Sequence, residues 1–244
     1  MALEAIARRF TCRETTKTKD LSVNILGLTP LDFTVNGADR AIGRFLEEYR
    51  FRVLSRWAMG STQEELSHAG SAHVNLVVSA TGLGVAKALQ ELFGTPYVVG
   101  IPIGDAWSAE IRKALQNAIS TGKNQFPVSN LPGAEILIIG EAVTSLSLAS
   151  ALELSTGTGT AVLCPTECDT NYLRSKDLKL QSEEEIQQAM GQARLVIADP
   201  LFRPICPPEV RFLPLAAESF SGRLYREQIP NLILHFNTFL QEVL

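Results

Sequence analysis

Short apolar runs recur along this chain at spacings that leave room for one helix between them, and this rhythm constrains the fold more than any single motif. The runs are SVNILGL (22–28), FRVLS (51–55), HVNLVVS (73–79) and PYVVG (96–100), then AEILIIG (134–140), TAVLCP (160–165), ARLVIADP (193–200) and VRFLPL (210–215). Helical periodicity fills the intervals at 38–49, 83–92, 106–120, 141–154 and 183–192. Strands separated by helices of about 10–15 residues imply parallel sheets with right-handed crossovers. Runs without polar alternation fit strands buried on both faces. The expected fold class is therefore α/β, as two tandem Rossmann-like units with parallel four-stranded sheets flanked by helices.

The polar, proline-containing stretch TGKNQFPVSNLPG (121–133) interrupts the rhythm and marks the expected boundary. The expected division is a leading helix and linker over 1–20, a first Rossmann-like domain over 21–125, and a second over 126–244. The second closes with an amphipathic helix, where Ile229, Leu232, Ile233, Phe236, Phe239, Leu240 and Val243 share a face. The opening ALEAIARRF has helical spacing but no capping residue, as if cut into a helix already under way, so the chain is expected to be a piece of a longer protein.

Composition narrows the function classes. A formal net charge of −4 in 244 residues, with no basic stripe, gives no electrostatic footprint for nucleic acid. The short basic stretch TCRETTKTK (11–19) reads as a solvated linker. No apolar run approaches the ~20 residues that cross a bilayer, and the N-terminus lacks a secretory pattern. The expected location is cytoplasmic, with no membrane partner, and the four cysteines are expected to be reduced thiols.

Ligands of open α/β sheets bind beyond the carboxyl ends of the strands. That rule selects loops 29–32, 58–62, 79–84, 141–145, 164–168, 200–203 and 218–223. Within them the candidate binding residues are Thr29, Gly60, Ser61, Ser79, Thr81, Gly82, Glu141, Arg203, Ser221, Gly222 and Arg223. The turn SATGLGVAK is the most suggestive. It follows a strand and opens a helix, as a dinucleotide site requires, yet it fails the fingerprint at two places. Lys87 stands where close helix packing wants no side chain, and no acidic residue ends the next strand, YVVGIPIG. Gly82 and Gly84 either line an anion-binding turn or only permit a tight one. In the segment 59–62, Thr62 or Ser61 can cap the following helix, or the segment can bind an anion.

Other candidates are weaker. Cys164 and Cys168, with Cys206 on a nearby loop, offer three thiols and no evident fourth ligand, so no metal site is expected from them. His68, His73 and His235 lack sequence-adjacent partners and read as surface residues. The arginines Arg203 and Arg223 suit either a carboxylate or phosphate, or structural contacts. Asp199, before a proline, also works as a turn residue.

The ordered set VNILGLTPLDF, RFLEEYRFRV, MGSTQEEL, VNLVVSATGL, LFGTPYVVGIPIG, ILIIGEAV, LVIADPL and SGRLY resembles nitrogenase component 1-type proteins, from Asn24 to Tyr225. That family includes nitrogenase catalytic subunits, their cofactor-assembly scaffolds and the dark-operative protochlorophyllide reductase subunits. The resemblance implies three Rossmann-like domains per subunit, of which this chain holds the middle and C-terminal ones. It implies a binding site for substrate or cofactor between α/β domains. It also implies an iron–sulfur cluster on the absent first domain, for which Cys12 alone is no substitute, and none on this fragment. Implied partners are a related nitrogenase-like subunit, or a second copy, and an ATP-dependent iron–sulfur reductase. By the same resemblance Ser79 stands at or beside the position of the cysteine that ligates the catalytic cluster, and Ala216 or its neighbours replace the histidine ligand. The reading is a nitrogenase-like oxidoreductase subunit lacking the usual molybdenum–iron cofactor ligands, with the fragment alone inactive. Two alternatives are a non-catalytic scaffold that binds a cofactor or tetrapyrrole, and a nucleotide-binding Rossmann protein.

Overall fold

The structure is a computed structural model that describes residues 2–33 and 36–244. It divides into two compact units, one of residues 2–33, 39–102 and 108–127, the other of 36–38, 103–107 and 128–244.

In the first unit, the strands are β1 (Ser22–Leu26), β2 (Arg52–Trp57), β3 (Val74–Val77) and β4 (Tyr97–Val99). All pair in parallel, in the order β2-β1-β3-β4. The helices are α1 (Ala2–Phe10), α2 (Pro30–Phe33), α3 (Ala38–Glu48), α4 (Gln63–Ser67), α5 (Leu83–Phe93) and α6 (Asp105–Thr121), with Ala38 of α3 and the first turn of α6 falling in the second unit. Strands β1, β3 and β4 are buried along their whole length, as strands covered on both faces of a parallel sheet are. Asn24 and Asn75 enter one cross-strand chain. The Trp57 indole N–H donates to Ser55 Oγ (2.9 Å), Ser55 Oγ to Asn24 Oδ1 (2.7 Å), and Asn24 Nδ2 to Asn75 Oδ1 (2.7 Å). These bonds tie β2 to β1 and β1 to β3 and pair core groups that would otherwise cost free energy, leaving Asn75 Nδ2 at the end of the chain without a partner.

Helix α4 starts where the sequence placed a cap. Thr62 Oγ1 accepts from Glu65 N (3.2 Å) and the Glu65 carboxylate accepts from Thr62 N (2.8 Å), a reciprocal capping box. Ser61 is not the cap; its hydroxyl accepts from Arg56 N at 2.8 Å. The stretch 11–19 is more structured than a solvated linker, because Lys17 is pinned. Its Nζ donates to Gly70 O (3.2 Å), Ala72 O (2.6 Å) and Thr95 Oγ1 (2.8 Å), three acceptors that no sequence period reveals. Helix α1 lies on α5, with Arg8 bridging Glu4 and Glu91.

The second unit repeats the plan with β5 (Ile136–Ile139), β6 (Thr160–Leu163), β7 (Leu195–Ala198) and β8 (Arg211–Pro214), parallel in the order β6-β5-β7-β8. Its helices are α7 (Ala142–Thr156), α8 (Glu183–Met190), α9 (Glu218–Ser221) and α10 (Leu232–Val243). Helix α7 is buried from Ala142 to Glu153 apart from Thr144. Its serines are accommodated because Ser147 and Ser150 donate back to the carbonyls of Val143 (2.7 Å) and Leu146 (2.8 Å). Helix α10 starts three residues later than 229, since Asn231 caps it by accepting from Ile233 N and Leu234 N. The Asn231 amide also donates to Asn36 O (3.0 Å), and Asn36 Nδ2 to Pro230 O (2.9 Å), so two asparagines hold each other's chains. Among the described residues no helix is long and apolar enough to cross a membrane.

Candidate functional site

In both sheets the chain leaves the first strand to one side and returns to the other. This puts the topological switch between β1 and β3 in the first unit and between β5 and β7 in the second. In the first unit this crevice is filled by its own backbone. Gly27, which follows β1 with φ +91, has no room for a side chain, since a Cβ there would meet Ser79 Oγ and lie 2.9 Å from Gly82 N. A Cβ on Gly82 would in turn lie 2.5 Å from the Leu26 carbonyl oxygen and 2.7 Å from its carbon. The glycines of the turn thus let two strand ends meet.

The side chains at this rim divide into spent and available groups. Ser79 is buried; its hydroxyl donates to Gly27 O (2.6 Å) and lies 2.7 Å from the exposed Thr81 hydroxyl. Thr29 is half-buried and donates to Asp32 Oδ2, while its carbonyl accepts from the amides of Asp32 and Phe33. Burial pushes the Asp32 carboxyl above its ordinary value, against the Thr29 hydroxyl, which pulls it down. Asp32 is the perturbed acid that residue choice overlooked, although its loop was selected. The signal available was its place just after the first strand. Across the sheet, Ala58 follows β2 in a left-handed conformation, φ 97, and Gly60 has φ 89, so the 58–62 turn stores backbone strain beside the rim.

The rim of the second unit is mostly committed to structure. Glu141 caps α7 by accepting from Thr144 N (2.9 Å). Asp199 is buried and accepts from Leu201 N (3.0 Å), Ala217 N (2.8 Å) and the Ser221 hydroxyl (2.8 Å), which fixes the end of β7 against α9. Ser221 is therefore an internal tie. Gly222, φ 57, closes α9 and presents the exposed Arg223. Arg203 is exposed, with its guanidinium 5.1 Å from the Phe212 ring centroid. Ala216 is buried.

The thiols do not gather as a trio. Among the described residues no group of three or more His, Cys, Asp and Glu side chains could hold a metal. At the positions where the family resemblance puts the cluster ligands, the Ser79 hydroxyl is spent on a backbone carbonyl and Ala216 offers no donor, so these two side chains do not fit the cysteine–histidine ligand pair. Two histidines, His68 and His235, are exposed. His73 corrects the surface reading. It is half-buried, and its Nδ1 lies 3.2 Å from both the amide and the hydroxyl of Ser22, so burial lowers its pKa, helped by Lys17.

Comparison with known proteins gives this architecture a family. The description "Nitrogenase component 1 type Oxidoreductase" matches residues 1–199, so SGRLY lies beyond the matched range. The chain belongs to the nitrogenase component 1-type oxidoreductase family. Among curated relatives, a light-independent protochlorophyllide reductase subunit from Nostoc punctiforme is 29% identical over 127 residues, covering 52% of this chain and 25% of that protein. Its counterpart in Prosthecochloris aestuarii is 36% identical over 92 residues, covering 36% of this chain and 17% of its own length. The aligned part thus spans a quarter or less of these relatives. The solved structure "Nitrogenase Cp1 at pH 5" superposes with a TM-score of 0.58 at 13% identity, over 98% of this chain and 60% of that one. This likeness establishes the two-unit α/β fold.

Proposed function

We propose that this chain is the substrate-binding body of a nitrogenase-like reductase that takes an organic, carboxylate-bearing substrate of the tetrapyrrole kind and carries no cluster of its own. The observation that carries this reading is Ser79. It stands at the end of β3, at or beside the place where the family resemblance puts a cluster-ligating cysteine, and its hydroxyl is spent on Gly27 O. A neutral hydroxyl so engaged is a poor soft-metal ligand beside a thiolate. The relatives named as protochlorophyllide reductase subunits support an organic substrate. Electrons come from a separate ATP-dependent iron–sulfur reductase, and this chain pairs with a related subunit.

Reduction of an organic double bond needs protons as well as electrons. Asp32 is suited to hold one at the rim, because burial keeps its carboxyl protonated to higher pH than an exposed aspartate. In the complex assembled with its partner subunit and reductase, Asp32→Asn is expected to lower kcat by about 10²-fold, the lower end of general acid–base contributions, while substrate affinity changes less than about threefold. Unchanged kcat would remove Asp32 from the reaction. A parallel loss of affinity would make it a binding group instead.

A further inference from the structure

Asn36 and Asn231 hold each other's chains within the second unit, but they differ in chemistry. Asn36 is the one asparagine of the chain that a glycine follows. Gly37 has φ +74 and no Cβ to hinder approach to its own nitrogen, and its amide donates to no acceptor among the described residues. Ala38 N donates to Asn36 Oδ1 (3.0 Å), an Asx turn that folds the side-chain carbonyl back over the Gly37 peptide and draws electron density from Cγ. Against this stands the clamp, in which Asn36 Nδ2 donates to Pro230 O (2.9 Å) and Asn231 Nδ2 to Asn36 O (3.0 Å). The Asn231 side-chain oxygen accepts from the amides of Ile233 and Leu234, so the clamp is continuous with the start of α10.

We propose that Asn36–Gly37 is a modification site, at which spontaneous deamidation to aspartate and isoaspartate unfastens the clamp on the start of α10. The Gly37 nitrogen gives up its proton and attacks Asn36 Cγ. The Cγ–Nδ2 bond breaks, ammonia leaves with that proton, and a five-membered succinimide remains. Water then opens the ring at either carbonyl, giving aspartate or isoaspartate, with nothing oxidised or reduced. Because Nδ2 is the leaving group and is held by Pro230 O, the reaction proceeds from molecules in which the clamp has opened locally. Once made, the change is one-way. The new carboxylate is acceptor-only and faces the Pro230 carbonyl oxygen with no proton to donate. The isoaspartate form also turns the Asn36 carbonyl held by Asn231 into a carboxylate and routes the main chain through the former side chain.

The test is incubation of the native chain at mildly alkaline pH, followed by proteolysis, mass spectrometry and labelling with an isoaspartyl methyltransferase. Asn36 is half-buried, whereas Asn117, Asn130, Asn171 and Asn237 are exposed but precede residues with a Cβ. Asn36 is nevertheless expected to convert at least about tenfold faster than any of these four, because only its neighbour leaves the attacking nitrogen unhindered. In the converted fraction, hydrogen exchange at the Ile233 and Leu234 amides is expected to quicken by about tenfold, as the helix start is freed. Asn36→Asp is expected to show the same quickening before any incubation. Conversion of an exposed asparagine ahead of Asn36, or an Asn36 that stays intact, would overturn the proposal. So would a converted Asn36 beside unchanged exchange at Ile233 and Leu234.

Discussion

Gly82→Ala is expected to destabilise the first unit by about 3 kcal/mol, whereas Gly84→Ala, two residues on in the same turn, is expected to be neutral or stabilising by up to about 1 kcal/mol. The opposite signs follow from what each new methyl group meets. At position 82 it would lie 2.5 Å from the Leu26 carbonyl oxygen, 2.7 Å from its carbon and 3.0 Å from Gly27 N, all backbone atoms of the central strand and the turn after it. Relief requires the β1 end to move, which breaks the Ser79–Gly27 bond and the register beside it. At position 84 the nearest atoms are Glu4 side-chain atoms at 3.5 and 3.7 Å, an ordinary contact, and alanine is the better helix former. Thermal unfolding of the two variants measures the difference, expected as a Tm drop of roughly 10 °C or more for Gly82→Ala. Equal Tm values would mean that the turn is open, as a cofactor loop would be.

A comparable loss is expected from Glu153→Ala, at about 3–5 kcal/mol, because it strands buried cations and donors together. Glu153 lies in α7 with its side chain fully buried. Its Oε1 faces Arg174 (3.1 Å) and Lys176 (2.6 Å) and accepts from Thr160 N (3.0 Å), while Oε2 accepts from Leu131 N (3.0 Å). Arg174 is also held by Asp177 at 2.9 Å and donates to Ser129 O and Thr160 O. This one cluster ties the segment after residue 128, the α7–β6 corner and the loop after β6. By contrast Lys113→Ala, which removes an exposed partner of Glu110, is expected to stay within about 0.5 kcal/mol.

The same cluster sets an acid limit. Burial pushes the Glu153 carboxyl up, but Lys176 and the amides of Leu131 and Thr160, with Ser129, outweigh it, and its folded pKa ends below the ordinary glutamate value. A depressed carboxylate contributes stability that is complete above its unfolded pKa, about 4.3, and is lost as pH falls toward the folded value. Unfolding midpoints in urea are therefore expected to hold through neutral pH and to fall below about pH 4.5. In Glu153→Gln that component of the acid slope should vanish. An unchanged slope would place the proton uptake elsewhere.

How much of this was legible in the sequence depends on the range of the interaction. Parallel strands and their helices were, since apolar runs and helical periods are local. So was the Thr62 cap, whose partner Glu65 is three residues away. The Glu153–Arg174 cluster was not, because its members are 21 residues apart and follow no period. The one trace was an acidic residue inside the otherwise uncharged SLASALEL stretch of α7, which reads equally as an exposed position. Lys17 was missed for the same reason: its acceptors are backbone carbonyls and Thr95, distant in sequence. The glycine turn was visible but ambiguous, since a nucleotide phosphate and an adjoining strand end both demand a missing Cβ. Leu26 gives a physical reason for the missing Cβ at position 82, through an approach that no motif encodes. The family resemblance added what local patterns could not, by marking Ser79 as the informative position.

On the proposed function, this chain binds a carboxylate-bearing tetrapyrrole without a cluster of its own. The most direct measurement is an anaerobic spectroscopic titration of the iron-free chain with protochlorophyllide. The expected result is a shifted absorption band that saturates at one molecule per chain, is unaffected by nucleotides and needs no added iron or sulfide. Contradiction would be binding that appears only after iron and sulfide are reconstituted and retained stoichiometrically, or no binding at any tetrapyrrole concentration.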